Sequence, residues 1–167
     1  MPKKKVDSPP VDVPRAAVDG LLLYQAETSL AKLVERSLLE SGLSLPQMLL
    51  LGGLYWDGRA LVPRRMRNTL VLEAQSFTGL IDGLETKGLA KRLSHPKDRR
   101  KILVQITPEG RKKYEEASPH SDRAAEIYFK ALTASERNQL RTALMKLRGG
   151  AHPLLNLRHD AAYPPAG

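Results

Sequence analysis

Apolar side chains recur at helical spacing from Leu22 through Ala26, Leu30, Leu33 and Leu38, a stripe that predicts one long helix entered at Pro14. It closes at Ser41-Gly42, where glycine suits a C-terminal cap. Ser44-Leu45-Pro46-Gln47 has the form of a capping box, so a second helix runs from there to Asp57-Gly58. Gly52-Gly53 inside it costs roughly 1 kcal/mol per glycine relative to alanine. Close approach by another helix accounts for the pair, and a local break is the alternative. Pro63 opens a third helix with Val62, Met66 and Leu70 as its buried stripe. A fourth covers residues 74–87, with Phe77, Leu80, Ile81 and Leu84 inward, and stops at Gly88.

The period then changes from helical to alternating. Residues 89–93 and 102–106 predict two strands, joined by the basic tip Ser94-His95-Pro96-Lys97-Asp98-Arg99-Arg100. Thr107-Pro108-Glu109 starts a further helix, with threonine as cap and proline in the first turn. Ser118-Pro119 is expected to kink or interrupt it. Thr133-Ala134-Ser135-Glu136, a second capping box, opens a last helix carrying Leu140, Leu144 and Leu147, expected to stop at Gly149-Gly150. Residues 1–14, with four prolines, read as a mobile arm, and residues 151–167 as a tail. No internal repeat is present.

Composition narrows the chemistry. A length of 167 residues, 41% of them hydrophobic, suits one small domain with terminal extensions. The chain has no cysteine, which excludes disulfides, thiolate metal sites and thiol nucleophiles. The longest strongly apolar run, Met48 to Trp56, falls far short of the ~18 residues of a membrane span, so a soluble, cytoplasmic protein is expected. Net charge is +9, and its placement is informative. Between Arg59 and Lys113 stand 14 Lys and Arg against 5 Asp and Glu, which is the whole excess; the remainder of the chain balances at 13 of each sign. A polyanion-binding surface concentrates charge in this way, whereas a solubility charge is spread out. Nucleic acid leads, with an anionic membrane surface as the competitor. The four histidines have no ligand-like spacing, and no phosphate loop, nucleophile elbow or carboxylate pair is present, so neither enzyme activity nor a cofactor is expected.

The order of helix, turn, helix and basic hairpin between longer helices is that of a winged helix-turn-helix. Leu80-Ile81-Asp82-Gly83-Leu84-Glu85-Thr86-Lys87-Gly88-Leu89, then Pro96-Lys97-Asp98-Arg99-Arg100, then Val104-Gln105-Ile106-Thr107-Pro108-Glu109-Gly110 together resemble the MarR family of bacterial transcriptional regulators. The resemblance is close over residues 44–110 and looser over the flanking helices. It implies a mostly helical fold with a small β-wing, and a helix after Leu72 that enters the major groove. Exposed Gln75, Ser76 and Thr78 would there meet bases or phosphates. It also implies a wing, Lys97, Asp98, Arg99 and Arg100, whose Arg100 enters the minor groove with its guanidinium oriented by Asp98.

The family pattern is departed from in three respects. Glu73 stands where a Ser-like cap is usual, Gly79 where an arginine is common, and Arg64, Arg65 and Arg67 occupy a third helix that is usually acidic or polar. Phosphate attraction is therefore expected to have moved partly onto that helix.

The resulting organisation is an arm (1–14), a dimerisation helix (15–43), a DNA-binding domain (44–110), dimerisation helices (111–150) and a tail (151–167). Leu22, Leu30, Ile127, Tyr128, Leu140 and Leu144 are expected at the interface between two copies. Tyr24, Tyr55 and Trp56 are candidates for the wall of a pocket for a small aromatic or phenolic effector, core packing being the plainer account. The expected function is a homodimeric regulator, a repressor in the first instance, on a pseudo-palindromic double-stranded DNA operator. A non-specific architectural, nucleoid-type DNA-binding protein is the alternative.

Overall fold

A computed structural model describes residues 14–98 and 100–155. The expected arm, most of the expected tail and Arg99 lie outside the described residues. The elements in chain order are α1 (Arg15–Leu38) with a 3-10 turn (Leu39–Ser41), α2 (Leu45–Asp57), α3 (Pro63–Leu70), α4 (Ala74–Thr86), β1 (Ala90–Ser94), β2 (Ile102–Ile106), α5 (Pro108–Phe129) and α6 (Ala134–Leu154). The fold is mostly helical, a winged helix-turn-helix.

The start signals act as their chemistry requires. Ser44 accepts from the Gln47 amide while the Gln47 side chain reaches back, and Thr133 and Glu136 form the same reciprocal pair. Gly42 and Gly58 end their helices in the left-handed conformation, at φ 67° and 70°. The Gly52-Gly53 pair marks a close approach: α2 is unbroken, and a Cβ on Gly53 would lie 3.2 Å from Met66 Cε of α3.

The core sits under the winged unit. Leu38, Leu50, Leu51, Leu54, Ile81, Leu84 and Val104 are its fully buried side chains, drawn from α1, α2, α4 and β2. The two strands pair antiparallel with Arg92 opposite Val104, and Val104 also bridges to Leu61 ahead of α3.

Four expectations need correction. Strand β1 begins at Ala90 because Leu89 still belongs to the closure of α4, its N–H donating to the Leu84 carbonyl at 2.8 Å. Val62 is 38% exposed as the N-cap of α3, and Leu61 takes the core position instead. Helix α5 runs uninterrupted through Pro119, which is exposed while Ala117 and Ala124 are buried; packing along the chain outweighs the proline penalty of about 3 kcal/mol, the lost hydrogen bond and the ring clash together. Helix α6 passes Gly149-Gly150 and ends at Leu154, since neither glycine adopts the left-handed φ that a cap needs and His152 beyond them is buried.

Candidate nucleic-acid interface

Helices α3 and α4 meet across a three-residue turn, and α4 presents its first turn outward. Gln75, Ser76 and Thr78 are exposed there, while Phe77, Ile81 and Leu84 on the opposite face anchor the helix in the core. The Thr78 hydroxyl donates to the Ala74 carbonyl at 3.0 Å. Glu73 precedes the helix without a side-chain cap, consistent with its poor capping chemistry.

The three arginines of α3 differ in their surroundings. Arg65 faces Asp57 at 3.4 Å, and the other oxygen of that carboxylate takes Arg59 at 2.9 Å. Arg64 is exposed and Arg67 half-exposed, and neither has an ion pair among the described residues. Three residues apart, they lie on one side of the helix, away from buried Met66.

The wing tip is ordered by its own main chain. His95 and Lys101 close it (N to O 3.1 Å), and His95 Nδ1 accepts from the Lys97 amide at 3.2 Å. Asp98 acts differently from the expectation. Its Oδ1 accepts from the backbone N–H of Arg100 at 3.1 Å and its Oδ2 faces Lys101 Nζ at 3.0 Å. The carboxylate therefore shapes the turn that carries Arg100 and does not hold the guanidinium. The Lys101 and Arg100 contacts keep Asp98 below its ordinary pKa. Lys97 and Arg100 are exposed.

Tyr55 and Trp56 are brought together with residues that the sequence reading missed. Tyr55 donates its hydroxyl to Glu115 at 2.8 Å, Trp56 Nε1 donates to the Tyr114 hydroxyl at 2.9 Å, and the Arg111 guanidinium lies 5.7 Å from the Tyr55 ring centre. The Glu115 hydrogen bond, with desolvation, raises the Tyr55 pKa. The cluster joins the end of α2 to the start of α5, just past the wing.

Tyr24 is not part of it. The Tyr128 hydroxyl binds the Ala26 carbonyl at 2.9 Å, which places this part of α1 beside the far end of α5. Tyr114 and Tyr128 are fourteen residues apart on that helix, about 21 Å at 1.5 Å per residue. Within one chain Tyr24 therefore stands 66% exposed and remote from Tyr55.

Apolar surface is concentrated on the terminal helices. Val18, Leu21, Leu22, Leu23 and Tyr24 of α1 are exposed, as are Ile127 of α5 and Leu144, Met145 and Leu147 of α6. A groove of about 300 Å³ on α6 is floored by Phe129, Leu140, Leu144 and Met145 and edged by Arg137, Arg141 and Arg148. Leu30 and Tyr128, by contrast, are used inside the chain, Leu30 packing on the core and Tyr128 tying α5 to α1.

No family model matches the chain. The multiple antibiotic resistance protein MarR of Salmonella typhimurium is 28% identical to it over 130 residues, 77% of this chain and 89% of that one. A MarR-family transcriptional regulator from Rhodococcus sp. RHA1 superposes with a TM-score of 0.75 at 26% identity, covering 83% of this chain and 96% of that one. In sequence and in fold the chain is similar to MarR-family regulators. CouR from Rhodococcus jostii RHA1, solved with p-coumaroyl-CoA bound, matches with a TM-score of 0.71 at 26% identity over 77% of this chain and 90% of CouR. The relatives are transcriptional regulators and not enzymes. Among the described residues no helix is long and apolar enough to cross a membrane.

Proposed function

We propose that the chain is a transcriptional regulator that binds a pseudo-palindromic operator as a homodimer and represses by occluding the promoter. Helix α4 enters the major groove with Gln75, Ser76 and Thr78, the wing places Arg100 in the adjacent minor groove with Lys97 and Arg99 beside it, and Arg64, Arg65 and Arg67 flank the phosphates. The observation that carries this reading is the setting of Arg64 and Arg67, cations without an ion pair among the described residues, on the helix that precedes α4. Two recognition helices of a dimer would meet half-sites about 34 Å apart, one helical turn. The unpartnered apolar residues of α1 and α6 support the dimer: Leu21 to Tyr24 are four successive residues that point to every side of a helix, and all four are exposed in one chain. Division into a central DNA-binding domain (44–110) between dimerisation helices follows from the same reading.

The test is a salt titration after the site has been found by footprinting DNA that flanks the chain's own gene. Arg64→Ala or Arg67→Ala weakens operator and scrambled duplex alike and flattens the slope of log affinity against log salt by about one unit. Gln75→Ala lowers discrimination and leaves the slope unchanged. Unchanged slopes in both arginine variants would refute the phosphate role.

A second reading, a non-specific architectural protein, is favoured by Glu73, which does not cap α4, and by Gly79, which brings no side chain to it. Equal affinity for promoter and random duplex would establish it. A small aromatic effector is supported by the p-coumaroyl-CoA of CouR and by the Tyr55–Trp56–Tyr114 cluster at the junction of α2 and α5. Trp56 is the single tryptophan, so its emission reports directly on titration with phenols and aromatic acids.

A further inference from the structure

The wing is a weakly held element. It has only two strands of five residues each, and an isolated hairpin of that size is marginal in water. Its base is secured, since Ala90, Val104 and Ile106 are buried in the core. Toward the tip that support ends: Ser94 and Ile102, the last pair, are both exposed. Arg92 stands between the two regions.

Strand alternation puts Arg92 on the face of Ala90, where an apolar residue would be usual, yet its side chain is only 30% exposed. It is held by two carboxylates of α4. Nη2 faces Asp82 Oδ1 at 2.7 Å, and Nη1 pairs with Glu85 Oε2. The main chain takes part as well. Val104 exchanges both of its backbone hydrogen bonds with Leu61, at 2.8 Å each, so it offers none to Arg92 opposite. The Arg92 N–H therefore points away from β2, along the open edge of the hairpin. Glu85 Oε1 accepts it at 2.7 Å. One glutamate thus grips both the backbone and the guanidinium of the same residue, and Asp82, one turn earlier on the same face of α4, fixes the other end of the fork.

Resting on the DNA-binding role proposed above, we propose that Arg92 is a positioning residue that clasps the wing to helix α4 through Asp82 and Glu85 and so sets the register between Arg100 at the wing tip and Gln75 on the helix. The groups lie at the surface, Asp82 being 56% exposed, so the clasp adds little to global stability. Its effect is geometric. The wing reaches one groove while α4 occupies the next, and the two contacts reinforce each other only while the hairpin is held at one height. Without the clasp the tip half of the hairpin pivots on its buried base.

The experiment combines affinity with amide exchange in the free protein. Arg92→Ala, Arg92→Lys, Glu85→Gln and Arg100→Ala are made singly, together with the Arg92→Ala/Arg100→Ala double variant. They are titrated at fixed salt onto the duplex selected by the wild-type chain. Arg92→Ala and Arg100→Ala each weaken binding about tenfold, and the double variant loses little more than either alone, because a wing that is not held gains little from its arginine. Arg92→Lys recovers part of the loss. In the free protein, exchange at residues 92–103 accelerates about tenfold in Arg92→Ala and Glu85→Gln, while the thermal midpoint moves by less than about 2 °C. Multiplicative losses in the double variant, or unchanged exchange, overturn the proposal. If the wild-type chain binds no duplex, the functional reading fails and the positioning role with it, and exchange then reports the clasp by itself.

Discussion

Gly110 is the residue whose substitution the structure constrains most tightly. It lies in the first turn of α5, where Thr107 caps the helix by accepting its N–H at 2.9 Å. A Cβ built on it would stand 2.0 Å from the Leu89 carbonyl oxygen and 2.9 Å from Ile106 Cγ1. Neither neighbour can yield readily. The Leu89 carbonyl also accepts the Thr107 N–H at 3.1 Å, and the Thr107 hydroxyl donates to Gly88 O at 2.7 Å, so the start of α5 is tied to the base of the wing. Gly110→Ala must move backbone by more than about 1 Å, which costs about 1–3 kcal/mol as overpacking, and it strains two or three hydrogen bonds of about 1 kcal/mol each. A loss of at least about 3 kcal/mol lowers the thermal midpoint by at least about 6 °C for a chain of this length. The assay is thermal unfolding at one protein concentration, since dimerisation makes the midpoint concentration-dependent. A midpoint within about 2 °C of wild type would show that the first turn of α5 can lift off β1, and the argument would fail.

Gly79 gives the opposite sign. It is helical and a Cβ there meets nothing within 4 Å, so Gly79→Ala stabilises by up to about 1 kcal/mol in denaturant unfolding. Val71 ends α3 with φ 52°, a costly conformation for a β-branched residue, so Val71→Gly raises the unfolding midpoint and Val71→Ile does not. Among the carboxyls that sit below their ordinary values are Glu136, held by the Thr133 N–H and hydroxyl, and Asp98, held by Lys101 and the Arg100 N–H. A depressed folded pKa means that the stabilisation is complete above the unfolded value, near 4.5 and 3.8 respectively, and is lost as pH falls through the lower folded value. Carboxyl titration by NMR checks this, and midpoints at or above the ordinary values would contradict it.

Much of the fold was legible because its signals are local. Ser44 with Gln47, Thr133 with Glu136, and Thr107 with Pro108 each announce a helix start within four residues. Stops were harder. Gly88 ends α4 as expected at φ 69°, whereas Gly149 and Gly150 stay helical. A glycine permits the left-handed cap without enforcing it, and whether the chain turns depends on what the next residues can bury. Leu89 is buried as the chain leaves α4, and buried His152 lies one turn on within α6. Pro119 follows the same rule, since the exposure that lets α5 continue through it is a tertiary fact.

The candidate site was legible as charge and hidden as geometry. The window from Arg59 to Lys113 advertises its 14 cations, but its few carboxylates determine how they are displayed. Asp82 and Glu85 take Arg92, Asp98 takes Lys101 and the backbone below Arg100, and Asp57, just outside the window, takes Arg59 and Arg65. Two of these groups stand next to cations that have no ion pair among the described residues: Arg64 and Arg67 beside Arg65, and Arg100 beside Lys101. Spacing along the chain cannot reveal this division, because the Arg92 clasp depends on which edge of the hairpin faces α4. A surface built only of cations would repel itself and lie open. Interleaved acids let the outward arginines stand on ordered turns, so that less conformational entropy is lost when they meet phosphate.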